Sequence, residues 1–191
     1  MPKPIRLESN HRNTEEIARF AEFFHDSALV PACIPERGRS GELPELIRVV
    51  DFEQLADRVA RRLSLRGASI GVIVYTKVDA RSLTRLLSDR LPDSARLDCY
   101  TSDVSGDVED DIDITSPGVT VLCGESAIGL EFDTVFLQDI QRSLPCDNED
   151  KRRRLYMLAA RAQNSLFLVN GPNPLNHAQL AALPDATLLK Q

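Results

Sequence analysis

The sequence predicts a three-layer α/β domain in which a mostly parallel sheet is covered by helices on both faces. Three observations predict it. Short apolar runs such as Ile70-Gly-Val-Ile-Val-Tyr75 lack the in-and-out alternation of a half-solvated strand, as strands buried on both faces do. Segments with an apolar stripe at helical spacing stand between these runs. The two kinds of segment alternate along the chain, the signature of βα units feeding one parallel sheet.

In chain order, Asn13 followed by Glu16 reads as an N-cap signature, and Ile17, Phe20, Ala21 and Phe24 repeat at helical spacing, which predicts a helix over about 14–25. A β-branched run over 46–51 predicts a strand. Phe52, Leu55, Ala56, Val59, Ala60 and Leu63 then form the stripe of a helix over 52–65. The strand at 70–75 is followed by a helix over 80–91, with Leu83, Leu86, Leu87 and Leu91 on one face. Further strands are predicted at 96–100, 119–123 and 134–138, a helix at 149–162 and a late strand at 165–170. Between the strands at 96–100 and 119–123 lies an acidic stretch over about 102–113 with almost no apolar anchor, read as a solvated loop.

A chain of 191 residues with 42% hydrophobic content suits a single domain, 1–191, with a real core. A formal net charge of -6 argues against an autonomous nucleic-acid binder, so any grip on nucleic acid must be local or shared with another domain. Cys33, Cys99, Cys123 and Cys146 form no C-x-x-C pair, which disfavours a zinc site or disulfide framework and fits a reducing cytoplasm. His11, His25 and His177 show no ligand spacing, and no metal site is expected. No apolar run reaches the roughly 18 residues of a membrane helix, so no membrane partner is expected.

In open α/β sheets the ligand crevice lies beyond the carboxyl ends of the strands, which directs attention to polar residues at the strand–helix junctions. Three segments carry candidate chemistry. Asn10-His11-Arg12-Asn13 precedes the first helix and sets a flat ring beside a planar fork of donors matched to phosphate. Read alone it fits a surface turn better than a ligand site. The loop Gly124-Glu125-Ser126-Ala127-Ile128-Gly129-Leu130-Glu131 has small residues that admit a ligand close to the backbone, and Glu131 offers acceptors for ribose hydroxyls. Its plain alternative is a strand connection with Leu130 and Phe132 buried. A serine-hydrolase elbow fails on spacing, because Ile128 occupies the second glycine's place. In the third segment, Arg154 and Arg161 are about two helical turns apart and share one side of the predicted helix, as an anion-facing pair or as ordinary solvated bases.

Taken together and in order, the segments resemble the second motor domain of UvrD/Rep-type superfamily 1 DNA helicases, over nearly the whole chain. Asn10-His-Arg-Asn13 is similar to that family's N-Y-R-S segment. The stretch 119–133, ending Gly-Leu-Glu-Phe-Asp, is similar to its T-x-H-x-A-K-G-L-E-F segment, and Arg153-Arg-Leu-Tyr-Met-Leu-Ala-Ala-Arg-Ala162 to its R-R-L-L-Y-V-A-L-T-R-A segment. The resemblance implies a RecA-like fold, with Arg12 against the γ-phosphate of ATP, His11 stacked on adenine, Glu131 on the ribose and Arg161 as the arginine finger. It places Gly129 and Arg154 near the nucleotide, and Gly124, Glu125 and Ser126 near single-stranded DNA.

The departures from the family pattern fall on the DNA side: Glu125 stands where the family has histidine, Ile128 where it has lysine and Ala160 where it has threonine. No large accessory insertion fits between Arg96 and Gly129, about thirty residues apart, although many relatives carry one in this region. No G-x-x-x-x-G-K-S/T loop and no D-E-x-x strand occurs. The isolated chain is therefore expected not to hydrolyse ATP, and the resemblance implies that an N-terminal RecA-like domain supplies the phosphate cradle and Mg2+. Two other readings stay open: an inert protein-interaction module that keeps the fold, and an unrelated α/β enzyme with its own pocket.

Overall fold

The computed structural model describes residues 12–25, 39–101, 116–127, 129–138 and 140–191, with the side chain of Glu125 outside the described set. Six strands form one sheet: β1 (Glu45–Arg48), β2 (Ser69–Val74), β3 (Arg96–Tyr100), β4 (Gly118–Cys123), β5 (Phe132–Leu137) and β6 (Ala162–Asn170). Their order is β1-β6-β5-β2-β4-β3, and every pairing is parallel. The helices are α1 (Glu15–Phe23), α2 (Phe52–Arg66), α3 (Lys77–Ser88), α4 (Glu149–Ala159) and the short α5 (His177–Ala181).

Side-chain alternation splits the core into two layers. Ile70, Val72 and Val74 of β2 pack with Leu55, Ala56 and Val59 of α2 and with Ala80, Leu83 and Leu87 of α3. Ile73 points the other way, with Ile17, Phe20 and Ala21 of α1 and Leu155, Leu158 and Ala159 of α4. Both sheet faces are therefore dry at the centre, which is why β2 reads as an unbroken apolar run. Gly71 has no room for a side chain: a Cβ there would stand 2.4 Å from the ring of Phe132. The glycine lets that ring lie across β2.

Local chemistry sets the boundaries. Asp51 caps α2, accepting from the Gln54 N–H at 2.8 Å, and Gly67 ends it in the left-handed region at φ +55°. The strand predicted at 46–51 consequently stops at Arg48. Thr76 and Asp79 form a reciprocal capping box that starts α3 at Lys77, ahead of the predicted 80. The expected cap at Asn13 is corrected: Thr14 holds the N-cap position of α1 without a side-chain cap bond. Glu16 instead accepts from Ser40 Oγ and the Gly41 N–H, and Asn13 turns inward. The helix predicted over 149–162 ends at Ala159, and β6 begins at Ala162, three residues ahead of expectation. The acidic stretch 102–113 lies outside the described residues.

The described cysteines differ in access. Cys99 is exposed on edge strand β3, whereas Cys123 and Cys146 are buried, and burial pushes the Cys146 thiol from its ordinary 9.0 up to about 11. Since only the thiolate attacks alkylating reagents, iodoacetamide at about pH 8 should mark Cys99 and spare Cys123 and Cys146, as read by peptide mass spectrometry. The folded Cys146 keeps its proton longer than the unfolded one, so its contribution to stability is complete below pH 9.0 and is lost as pH rises through about 11.

Candidate functional site

Arg12, Glu131 and Arg161, which are far apart in sequence, meet at the amino edge of the sheet. Glu131 directly precedes β5 and Arg161 directly precedes β6, and the two strands pair in parallel, so their starts are neighbours. Arg12 comes in from the segment before α1, and its Nε lies 2.7 Å from Glu131 Oε1. Glu131 Oε2 accepts from Gln163 Nε2 at 3.2 Å. Arg161 donates from Nε to the Met157 carbonyl at 3.0 Å and from Nη1 to the Leu130 carbonyl at 3.4 Å, with no partner for Nη2 among the described residues.

Burial and then repulsion from Arg12 push the Arg161 guanidinium below its ordinary range, while Glu131 pulls it back. It stays cationic at any working pH. Two guanidiniums and one carboxylate thus share a small, partly desolvated space, with Arg12 the most open: its side chain is 48% exposed against 23% for Glu131. Such a set has the chemistry to bind an anion through the guanidinium forks and hydroxyls through the carboxylate.

The platform beneath is rigid. Asp133 Oδ2 accepts from the Ser69 N–H and Oγ at 3.1 and 3.0 Å, and Oδ1 accepts from Asn164 Nδ2 at 2.8 Å, tying together the starts of β2, β5 and β6. Gly129 takes φ +89°, a backbone form that L side chains rarely adopt, where the chain descends to Glu131. Leu130 proves only partly buried, unlike Phe132.

Two expectations change. The crevice rule pointed to the carboxyl ends of the strands, yet Arg12, Glu131 and Arg161 gather at the amino ends. Arg154 and Arg161 also do not share a continuous helix, because α4 closes with the Ala160 N–H on the Tyr156 carbonyl and the Arg161 N–H on the Leu158 carbonyl. That tightened turn carries Arg161 off the helix, while Arg154 stays on α4. His11, Ile128 and the Glu125 side chain lie outside the described residues.

Gly124 and Ser126 belong to a 3-10 turn, Gly124–Ala127, at the carboxyl end of β4, with the Ser126 Oγ buried. The chain must then return from the carboxyl edge to the amino edge, roughly 20 Å at strand rise, before β5 begins. A concavity opens on the carboxyl edge, a cleft of about 470 Å³ lined by Asp51, Phe52, Tyr75, Gln138, Gln141 and Asn173 among others. The Arg142 guanidinium stands 3.9 Å from the centre of the Tyr75 ring. Sequence reasoning missed this cleft, although Tyr75, Gln138 and Asn173 all sit just at or after the ends of predicted strands. Among the described residues no three His, Cys, Asp or Glu side chains gather as a metal site, and no helix is long and apolar enough to cross a membrane.

No family model matches the chain, and no curated protein matches it. Its fold is similar to the crystal structure of the C-terminal domain of a possible DNA helicase from Lactobacillus plantarum WCFS1, with TM-score 0.65 and 24% identity over 95% of this chain and 98% of that one. It is also similar to domain 2 of the DEAD-box helicase Mss116p bound to an RNA duplex, with TM-score 0.50 and 10% identity, covering 68% of this chain and 55% of that one. At these identities the likeness concerns the fold, and the all-parallel six-stranded sheet between helical layers is a RecA-like domain.

Proposed function

We propose that this chain is the second motor domain of an ATP-dependent DNA helicase or translocase of UvrD/Rep type. One observation carries the reading: the convergence of Arg12, Glu131 and Arg161 at a single amino-edge site. The family resemblance assigned these three residues to one nucleotide on sequence grounds alone. In this reading ATP lies between the amino edge and a companion RecA-like domain, which supplies the phosphate cradle, Mg2+ and the attacking water.

When bound, ATP loses its γ-phosphoryl group to water, and ADP leaves with the bridging oxygen. Arg12 addresses the γ-phosphate, Glu131 accepts from the ribose, and Arg161 neutralises charge that develops on the transferring group. Gly129 and Arg154 flank this side, with His11 toward the base. Single-stranded DNA runs along the opposite, carboxyl edge, where Gly124, Glu125 and Ser126 follow β4 and where Phe52 and Tyr75 offer rings for base stacking. Nucleotide and DNA thus sit at opposite edges of the same sheet, so closure on one is transmitted through the sheet to the other.

The direct test is discrimination between ATP and ADP by the native gene product. Arg12→Ala removes a charge-assisted contact that only ATP makes, so ATP affinity should fall about 10- to 10²-fold, clearly more than ADP affinity, which changes only through loss of the Arg12–Glu131 pair, as measured by calorimetry. Equal losses for both nucleotides would remove Arg12 from the γ-phosphate. A second reading, an inert interaction module, draws on the net charge of -6 and on Glu125 and Ile128, which replace basic or polar residues of the family pattern. It predicts no ATP turnover by the native gene product under any condition.

A further inference from the structure

Asn13 has an unusual position for a polar residue: it is 3% exposed, between Arg12 and the start of α1. Its Nδ2 donates to the carbonyls of Ala160 at 3.1 Å and Ala162 at 2.5 Å. These two carbonyls flank Arg161. A side-chain amide nitrogen carries two hydrogens and carbonyls only accept, so both hydrogens are used and the orientation of the amide is fixed. The Ala160 carbonyl, at the C-cap of α4, is one that no N–H within the helix reaches.

Backbone bonds extend the same seam. The Thr14 N–H donates to the Gln163 carbonyl and the Phe132 N–H to the Arg161 carbonyl, each at 3.0 Å. Gln163 then reaches Glu131 through its side chain. The segment bearing Arg12, the junction bearing Arg161 and the strand start bearing Glu131 are therefore stitched together, and the Asn13 side chain grips both sides of Arg161.

We infer that Asn13 is a positioning residue that clamps the backbone around Arg161 and fixes its spacing from Arg12, so that both guanidiniums address one anion. This rests on the nucleotide-facing reading of the site. Arg12 and Arg161 repel each other, and an unclamped junction relaxes by moving them apart. Serine, which the N-Y-R-S segment carries at this place, has a single hydroxyl hydrogen and satisfies only one of the two carbonyls. The double grip belongs to this chain's own sequence.

The test compares Asn13→Ala with Asn13→Asp, which keeps the shape but turns an acceptor toward two carbonyls. Amide hydrogen exchange on the 191-residue chain reads the clamp, and ATP turnover by the native gene product reads its consequence. In Asn13→Ala the Phe132 and Arg161 amides should exchange about tenfold faster while the amides of β2 stay protected. The kcat should fall about 10²-fold at nearly constant KM, and Asn13→Asp should be the more severe variant on both readouts.

Unchanged exchange at Phe132 and Arg161, or a uniform rise across the sheet, overturns the clamp. Full kcat in Asn13→Ala, when the unmodified protein turns over ATP, overturns the positioning role alone. If the local exchange response appears but the unmodified protein never hydrolyses ATP, the clamp stands and the nucleotide reading fails.

Discussion

Replacing Arg161 with alanine should cut ATP turnover by the native gene product about 10³- to 10⁵-fold and leave KM nearly unchanged. The size of the effect follows from where the side chain sits. Nε and Nη1 rest on the carbonyls of Met157 and Leu130, so the guanidinium is pre-oriented before any ligand arrives. Partial burial keeps water from screening its charge, and a preorganised donor in such a place acts mainly on charge that develops in the transition state. Loss in kcat without loss in KM is the signature of that kind of contact. Lysine should not rescue, because an ammonium cannot hold two carbonyls and a phosphoryl oxygen in one planar array. A melting temperature close to that of the unmodified chain would separate the kinetic effect from unfolding, and a comparable rise in KM would move Arg161 from the transition state to ground-state binding.

Phe132→Ala should cost about 3–5 kcal/mol of folding stability, a loss near the upper end for one core truncation. Phe132 is fully buried and flanked in sequence by Glu131, which accepts from Gln163, and Asp133, which accepts from Asn164. Its ring fills the space left by Gly71, where any Cβ would collide with it. Neither neighbour can relax inward to fill the void, because β2 and β5 are pinned together by the Ser69–Asp133 bonds. A native stability of roughly 5–15 kcal/mol would be reduced by a large fraction. The urea midpoint should drop at constant slope, and Gly71→Ala should destabilise through the reverse mechanism, crowding the same ring. A midpoint shift equivalent to less than about 1 kcal/mol would mean that the ring does not carry the packing assigned to it.

The strands were legible because burial on both sheet faces leaves apolar runs, unbroken at 70–74 and interrupted at 119–123 by the buried Thr120, and the helices because α2 and α3 keep a stripe toward one layer. Their ends were less legible. Asp51, Thr76 and Asn148 all cap helices through local bonds, and each resembles an ordinary loop residue until the neighbouring N–H is located. The α4–β6 junction was misplaced because Ala159-Ala160-Arg161-Ala162 suits a helix on propensity, while pairing of Ala162 with Phe132 draws it into the sheet.

The candidate site was legible through resemblance and spacing, not through the general rule for open sheets. That rule looks to carboxyl ends, and the three charged residues lie at amino ends, where the segment before α1 closes over the starts of β5 and β6. Asn13 shows what a single sequence hides. A residue three before a glutamate at a helix start reads as a cap, and only the fold reveals that its amide reaches the far end of the chain.

The motor reading is tested most directly by steady-state ATP hydrolysis by the native gene product, with and without single-stranded DNA. Turnover should rise when DNA is added and disappear in Arg161→Ala. No turnover, or turnover indifferent to both DNA and Arg161, would contradict it.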